Sequence, residues 1–331
     1  MASSTSSSPS VTRLTLASLP TALEPAARLG VAIGAPALLT KRDDLAGNLY
    51  GGNKVRKLEY LLGDAIARGC DAVVTFGAAG SNHALATAVY AKQAGLDCYA
   101  VLTDQLQTPW VANTLRWHCL LGTRVIAAAG YLETQAEAAR LKAIHPTGPD
   151  KLCEIPWGGS SPLGSLGFVD AGAELAAQLA TVGVTGPVRV YLPCGTMGSV
   201  AGLLIGLRQA GVPATVVSVK VVPQNVVDAS AVLQLAAAIR RLLPAGTAPA
   251  MEDLTAHLEF RTEFAGEGYA VPTPECVEAV ALARDLEGFR LDTTYSGKAL
   301  ACLVADARSG RLADQTPVFW QTWNSRPYPA N

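Results

Sequence analysis

Strand-like and helix-like segments alternate along most of this 331-residue chain, and this alternation limits the folds that it can adopt. Short apolar runs with many β-branched residues, such as residues 72–76 and 189–193, are each followed by an Ala- and Leu-rich stretch with helical spacing. Successive strands that are joined by helices pair in parallel, and the helices cover the faces of the sheet. The sequence therefore predicts an α/β fold with open parallel sheets and helices on both faces.

The composition excludes several classes of partner. Half of the residues are hydrophobic and 16% are charged, so the chain can bury a large core. The formal net charge is −1 and no block of basic residues occurs, which argues against a nucleic-acid partner. The longest apolar runs, such as residues 188–192, have the length of a strand rather than of a membrane span. The four histidines share no ligand spacing, so we expect no metal site.

The cysteines and the first residues bear on the compartment. Seven cysteines are scattered without a CxxC pair, which argues against a disulfide framework or a zinc site and favours a reducing cytoplasm. Residues 1–11 begin with the polar, Ser-rich run MASSTSSSPS, and we predict a disordered tail there. A processed targeting peptide is the alternative.

The segment GGNKVRKLEYLL, residues 51–62, places Lys54 at the start of a predicted helix. A helix N-terminus carries partial positive charge, so it is a poor place for a lysine that serves only as a soluble cation. A lysine in a dry site loses its proton more readily, and the neutral amine is a nucleophile toward aldehydes. For Lys54 alone, a solvated surface lysine is the alternative.

Two turns between a strand and a helix are candidate ligand sites: TFGAAGSNHALA, residues 75–86, and YLPCGTMGSVAGL, residues 191–203. The second directs backbone N–H groups and hydroxyls toward the start of a helix, where an anion is favoured. It is neither a GxGxxG nor a Walker motif, which disfavours a dinucleotide and leaves a plain connection as the alternative. A nucleophilic lysine and a phosphate turn in one chain fit pyridoxal 5′-phosphate.

Five segments occur in the order in which one known family has them: GGNKVRKLE, GAAGSNH, GGSSPLGSLGFVDAGAEL, GEGYAVPTPE and LDTTYSGKAL. Over residues 15–325 the chain resembles the pyridoxal-phosphate-dependent 1-aminocyclopropane-1-carboxylate deaminase / D-cysteine desulfhydrase family. The resemblance implies the two-domain fold of the tryptophan synthase β-subunit (fold type II). It implies a large cofactor-binding domain from residues 12–56 plus 165–331, a small α/β domain from residues 57–164, and a homodimer.

The resemblance also assigns roles to single residues. Lys54 matches the lysine that forms the imine with the cofactor and moves protons, and Ser81, Tyr269 and Tyr295 match residues that contact the substrate or act in acid–base steps. The residues matched to cofactor binding are Lys54, Lys57, Asn82, Gly195, Thr196, Met197, Gly198 and Ser199. Those expected at the substrate are Ser81, Asn82, His83, Trp157, Gly158, Tyr269, Tyr295 and Trp323. The alternatives are a helix cap for Asn82, a turn serine for Ser81 and core packing for the tyrosines.

The chain departs from the family at two places. Deaminases of the family have a glutamate that pairs with the pyridine nitrogen where this chain has Ser296, which makes ring-opening of aminocyclopropane-carboxylate less favourable. We expect Thr322 to be the partner of that nitrogen, with Ser296 as the second choice. Two glycines of the family are replaced by Trp323 and Asn324, so we expect a changed substrate range.

The sequence thus predicts a pyridoxal-phosphate-dependent lyase. It acts on a small amino acid by α,β-elimination and gives a 2-oxo acid and ammonia. Aminocyclopropane-carboxylate deamination, amino-acid racemisation and β-replacement are alternatives with the same cofactor. A protein that carries the cofactor and only binds ligands is the alternative outside enzymology.

Overall fold

The computed structural model describes residues 11–222 and 227–327, and strands and helices alternate through them. The predicted disordered tail lies outside the described residues except for Val11. The strands are β1 (Leu23–Pro25), β2 (Leu39–Lys41), β3 (Ala72–Ala78), β4 (Asp97–Thr103), β5 (Arg124–Ala128), β6 (Leu152–Ile155), β7 (Val188–Cys194), β8 (Ala214–Lys220), β9 (Leu258–Arg261) and β10 (Thr316–Trp320).

The helices cover both sheets. They are α1 (Ala27–Ile33), α2 (Lys54–Ala67), α3 (Asn82–Gln93), α4 (Pro109–Leu121), α5 (Tyr131–Ala143), α6 (Pro162–Thr181), α7 (Gly198–Gln209), α8 (Ala229–Arg240), α9 (Met251–Ala256), α10 (Pro274–Glu287) and α11 (Ser296–Arg308). Short 3₁₀ turns lie at Asp43–Leu45, Pro149–Lys151 and Trp157–Gly159.

The strands form two sheets. The larger has the order β1-β2-β10-β7-β8-β9 and the smaller the order β5-β4-β3-β6. The pairs are parallel except that β1 runs antiparallel to β2 at one edge. All residues of β3 and β7 are buried, as expected for parallel strands with helices on both faces. The predicted α/β fold with open parallel sheets is therefore confirmed.

Close helix packing brings α2, α6 and α7 together. A Cβ atom on Gly172 of α6 would lie 2.6 Å from the backbone of Gly206 in α7, and one on Gly167 would lie 2.1 Å from the carbonyl oxygen of Arg56 in α2. Only glycine permits these approaches. They hold α2, whose first residue is Lys54, against the helix that follows the smaller sheet.

Predicted helix bounds agree with the structure at several helices and differ at the start of α6. Helical spacing in the sequence predicts helices around residues 109–121 and over residues 131–143, and α4 and α5 have these bounds. The sequence predicts a helix over residues 169–180 after the Gly-rich segment 158–167, but α6 already begins at Pro162. Ser161 caps it by accepting a hydrogen bond from Gly164 N, and a proline at the first position favours a helix start. These two local signals outweigh the glycines.

The expectation that the cysteines form no disulfide is wrong for Cys70 and Cys153, which are bonded to each other with their Cα atoms 6.1 Å apart. They are separated by 83 residues in the sequence. Parallel pairing of β3 with β6 puts Val73 opposite Cys153 and so brings Cys70 near it. Cysteine spacing alone does not reveal this pair, because the strand order brings it together.

Candidate active site

Lys54 is the first residue of α2, as the sequence predicted. The loop before it is fixed at two points, because Asn53 N donates to Thr322 O at 3.0 Å and Asn53 Nδ2 donates to Ser199 Oγ at 3.0 Å. Burial lowers the pKa of Lys54 to about 8, and the nearby Cys194 thiol opposes this shift only in part. Near neutral pH a larger fraction of Lys54 than of an ordinary lysine is therefore the neutral, nucleophilic amine.

A buried ionic network holds the first turn of α2 in place. The Arg56 guanidinium donates to both carboxylate oxygens of Asp43, at 2.9 and 2.8 Å, and to both of Glu174, at 3.0 and 2.9 Å. Lys41, which is fully buried, also pairs with Glu174. Because Arg56 lies two residues after Lys54, the network fixes where the lysine emerges from the helix.

A group of polar atoms lies beside this turn, and we call Lys57, Ser160, Ser165, Thr196 and Gly198 the polar cradle. Ser160 Oγ accepts hydrogen bonds from Lys57 Nζ at 2.9 Å and from Gly198 N at 3.2 Å. Thr196 Oγ1 lies 2.7 Å from the same oxygen. The first cause of the lowered pKa of Lys57 is burial, and the second is the charge of Lys54. Lysine, hydroxyl and backbone N–H donors thus converge on one point.

The centre of the cradle is open only because residue 198 is glycine. A Cβ atom there would lie 2.6 Å from Ser160 Oγ, 2.8 Å from Ser165 Oγ and 2.9 Å from Lys57 Nζ. Ser165 Oγ is buried and has no hydrogen-bond partner among the described residues. A phosphate group, which accepts several hydrogen bonds and carries negative charge, matches this set of donors at the start of α7. The cradle therefore fits the phosphate of pyridoxal phosphate.

The turn from Gly195 to Ser199 enters α7 through Met197, whose φ of 67° is in the left-handed region. The ring of Tyr295 lies beside this turn, because its Cε1 atom would be 3.2 Å from a Cβ atom on Gly195. The hydroxyls of Tyr295 and Tyr269 are 2.8 Å apart. Burial raises the pKa of Tyr269 to about 12 and that of Tyr295 well above its usual value, so both hydroxyls hold their protons.

Asp292 organises the start of α11, which carries Tyr295 and Ser296. Its carboxylate accepts backbone hydrogen bonds from Thr294 N, Tyr295 N and Ser296 N at 3.0, 2.7 and 2.9 Å. It also accepts the hydroxyl of Ser296 at 2.6 Å. The side chain of Ser296 is therefore oriented by a carboxylate four residues earlier, which the sequence reasoning missed.

The turn after β3 carries the predicted residues Ser81, Asn82 and His83. Ser81 caps α3, since its Oγ accepts a hydrogen bond from Ala84 N at 3.2 Å; the alternative that Asn82 is the cap is wrong. Asn82 Oδ1 instead accepts the hydroxyl of Tyr50. Burial, and then the charges of Lys54 and Lys57, lower the pKa of His83 well below its usual value, so its ring is neutral.

Trp157, one of the two predicted tryptophans, packs against other aromatic rings. The ring of Trp157 stacks on Phe76 with centroids 6.1 Å apart and also lies 6.1 Å from Tyr131, in the hydrophobic cluster of the smaller sheet. Its predicted contact with the substrate stays a prediction. Gly158, the next residue, lies against Thr196: a Cβ atom there would be 2.2 Å from Thr196 Oγ1.

Several residues that form the site were not predicted from the sequence. Ser160, Ser165 and Asp292 were not among the predicted site residues, although the first two lie in the segment GGSSPLGSLG. The serines among the glycines of that segment were the signal that could have revealed these two residues, because small hydroxyl residues suit the approach of a phosphate.

Within residues 11–222 and 227–327, no helix is long and apolar enough to cross a membrane. No group of His, Cys, Asp or Glu side chains there is arranged to hold a metal ion.

Comparison with known proteins shows the family to which the chain belongs. The family model described as "Pyridoxal-phosphate dependent enzyme" matches residues 14–321, and the chain belongs to that family. It is thus a pyridoxal-phosphate-dependent enzyme, and the predicted cofactor is confirmed.

Individual relatives narrow the resemblance. The chain is 34% identical over 312 residues to a D-cysteine desulfhydrase of Salmonella choleraesuis (strain SC-B67), covering 93% of this chain and 92% of the relative. It is 33% identical over 319 residues to nocardicin C-9′ epimerase of Nocardia uniformis subsp. tsuyamanensis, covering 95% and 93%. The crystal structure of a homologue of 1-aminocyclopropane-1-carboxylate (ACC) deaminase superimposes with a TM-score of 0.83 at 31% identity, covering 95% and 92%. The resemblance predicted from the sequence is therefore confirmed.

Proposed function

We propose that this chain is a pyridoxal-phosphate-dependent lyase that removes a β-substituent from a small amino acid and releases a 2-oxo acid and ammonia, as its D-cysteine desulfhydrase-like relatives suggest. The observation that carries the proposal is the position of Lys54. Its amine has a pKa lowered to about 8, and its charge acts on Lys57 of a cradle that suits a phosphate.

The cradle and the turn hold the cofactor in this proposal. Lys57, Ser160, Ser165, Thr196 and Gly198 N bind the phosphate in this proposal, and Asn82 and Ser199 make further contacts with the cofactor. When bound, pyridoxal phosphate supplies an aldehyde for the amine and an electron-withdrawing ring that takes up negative charge from the α-carbon of the substrate.

The chain's own groups then move the protons. The Ser81 hydroxyl orients the substrate carboxylate, since its oxygen accepts from Ala84 N and its proton is available to donate. The neutral amine of Lys54 removes the α-proton. The hydrogen-bonded pair Tyr269 and Tyr295 keeps its protons and donates one to the leaving β-substituent.

The partner of the pyridine nitrogen is Thr322 in this proposal, with Ser296 as the second choice. Thr322 is buried and its carbonyl holds the loop before Lys54, while the Ser296 hydroxyl already donates to Asp292. A neutral hydroxyl stabilises a protonated ring less than a carboxylate does. This favours elimination of a good leaving group over opening of a cyclopropane ring.

Inversion at the α-carbon is the second candidate function. It uses the same first step, removal of the α-proton, and a relative at 33% identity is named as an epimerase. Analysis of the products separates the two functions, because inversion returns an amino acid and elimination releases ammonia.

The experiment is an absorbance titration of the purified holoenzyme with D- and L-cysteine, β-chloroalanine, D- and L-serine and aminocyclopropane-carboxylate, together with assays for ammonia and 2-oxo acid. A spectral shift with release of ammonia from one compound supports the lyase function. Lys54→Ala should abolish turnover, and an unchanged rate contradicts the assignment. A cofactor-loaded protein that changes none of the compounds contradicts elimination from these substrates and leaves either other amino acids or a binding role.

The assembly and location remain part of the proposal. We expect a homodimer and two domains, residues 12–56 plus 165–331 and residues 57–164; all strands of the smaller sheet fall within the second range. A cytoplasmic location was predicted from the scattered cysteines. The disulfide between Cys70 and Cys153 weakens that basis, because reducing compartments keep thiols reduced.

A further inference from the structure

Trp323, which stands where the family has glycine, is held against the loop that precedes the candidate catalytic lysine. Asn53 N donates to Thr322 O at 3.0 Å, and Gly51 N donates to Asn324 Oδ1 at 2.7 Å. Both neighbours of Trp323 are thus bonded to that loop. The backbone of Trp323 is therefore held beside the loop.

Trp110 is held to another loop, the turn after β3. It lies in the first turn of α4, which Thr108 caps by accepting a hydrogen bond from Val111 N at 3.2 Å. Its indole Nε1 donates to the carbonyl oxygen of Gly80 at 3.1 Å. Gly80 immediately precedes Ser81, so Trp110 is fixed to the turn that carries the proposed carboxylate-binding serine.

The two indoles meet, with ring centroids 5.1 Å apart and an interplanar angle of 58°. We call Trp110 and Trp323 the aromatic wall. The wall runs from the loop before Lys54 to the turn before Ser81 and so borders the space between these two residues. Both tryptophans are only partly buried.

The chemistry of the wall is apolar. The guanidinium of Arg290 lies 5.8 Å from the centroid of the Trp323 ring. The indole N–H of Trp110 already donates to Gly80. A thiol or hydroxyl on the substrate gains little from such a surface, whereas an aromatic ring gains both buried area and ring–ring contact.

We infer that the substrates of this enzyme are amino acids whose β-substituent ends in an aromatic ring, which packs on the aromatic wall. This deepens the proposed lyase function and rests on it. For S-benzylcysteine, the α-proton is removed and the Cβ–S bond breaks, with the electron pair leaving on sulfur. The sulfur takes a proton to give benzyl thiol, and one water completes the products pyruvate and ammonia.

The test compares kcat/KM of the holoenzyme for both enantiomers of S-benzylcysteine and of cysteine, measured by pyruvate release. We expect the wild type to prefer S-benzylcysteine. Trp323→Gly and Trp110→Ala should each lower the ratio of the two kcat/KM values about tenfold or more. Trp323→Phe, which keeps a ring, should retain most of the preference. Trp117→Phe, a change on the same helix within a different hydrophobic cluster, should leave the ratio unaltered.

Two results overturn the inference. A ratio that rises in Trp323→Gly shows that the wall excludes large groups, and a ratio that does not change shows that the wall plays no part in selection. Calorimetric titration of the holoenzyme with the same amino acids gives their dissociation constants whether or not turnover occurs. If no compound yields pyruvate, the proposed lyase function fails, while tighter binding of S-benzylcysteine that is lost in Trp323→Gly still supports the wall.

Discussion

The geometry of the polar cradle predicts that a single added methyl group at residue 198 weakens cofactor binding and leaves the stability of the apoprotein nearly unchanged. In Gly198→Ala the new Cβ atom falls 2.6 Å from Ser160 Oγ, 2.8 Å from Ser165 Oγ and 2.9 Å from Lys57 Nζ, where ordinary contacts need about 3.4 Å or more. The three atoms end side chains that can turn away. Alanine is also a better helix former than glycine at the start of α7. We therefore expect the free energy of unfolding of the apoprotein to change by less than about 1 kcal/mol.

The loss for the phosphate is larger. The methyl group occupies the point on which Lys57 Nζ and the hydroxyls converge, so the phosphate forfeits at least two charge-assisted hydrogen bonds of about 1.5 kcal/mol each. At about 1.4 kcal/mol per factor of ten, affinity for pyridoxal phosphate should fall about 100-fold. Affinity for pyridoxal, which has the aldehyde but no phosphate, should fall much less.

Absorbance titration of the apoprotein with each of the two compounds measures this difference. Gly186→Ala is the matched control, because no atom lies within 4 Å of a Cβ at that position. If Gly198→Ala binds pyridoxal phosphate as tightly as the wild type, or loses pyridoxal to the same extent, then the cradle is not the phosphate site and the reasoning is refuted.

Three further predictions concern the residues that position the site. The pKa of Lys54 near 8 lies below its value of 10.5 in the unfolded chain, so apoprotein stability should rise as the pH increases from about 8 to 10.5. In urea unfolding at pH 7, Lys54→Met should raise the free energy of unfolding by about 2–3 kcal/mol, and it should lack that rise with pH; a pH profile equal to that of the wild type contradicts the lowered pKa of Lys54. Asp292→Ala removes the acceptor of three backbone N–H groups, so it should lower the free energy of unfolding, measured in urea, by about 1–2 kcal/mol. A loss of less than about 0.5 kcal/mol contradicts the role of Asp292 at the start of α11. Arg56→Met leaves Asp43 and Glu174 without their main cation and should cost about 3–5 kcal/mol, measured as a fall in Tm; a loss below about 1 kcal/mol refutes the network's role.

The local order of the fold could be predicted from the sequence. Apolar periodicity defined α4 and α5 to the residue, and strand–helix alternation predicted the parallel sheets. The place of Lys54 at a helix start also followed from the residues around it. These features depend on residues within one or two turns of each other, which a sequence displays directly. Motifs in family order then supplied the cofactor.

What brings distant side chains together was decided by the tertiary structure. Lys57 and Ser160 are 103 residues apart and share a hydrogen bond in the polar cradle. The disulfide depends on the pairing of β3 with β6, and the aromatic wall depends on the segments after β4 and β10 coming into contact. Sequence periodicity gives which face of an element is apolar, but it does not give the order of strands in a sheet. The residue types in this site were thus visible in the sequence, whereas their contacts were fixed by the order and packing of the two sheets.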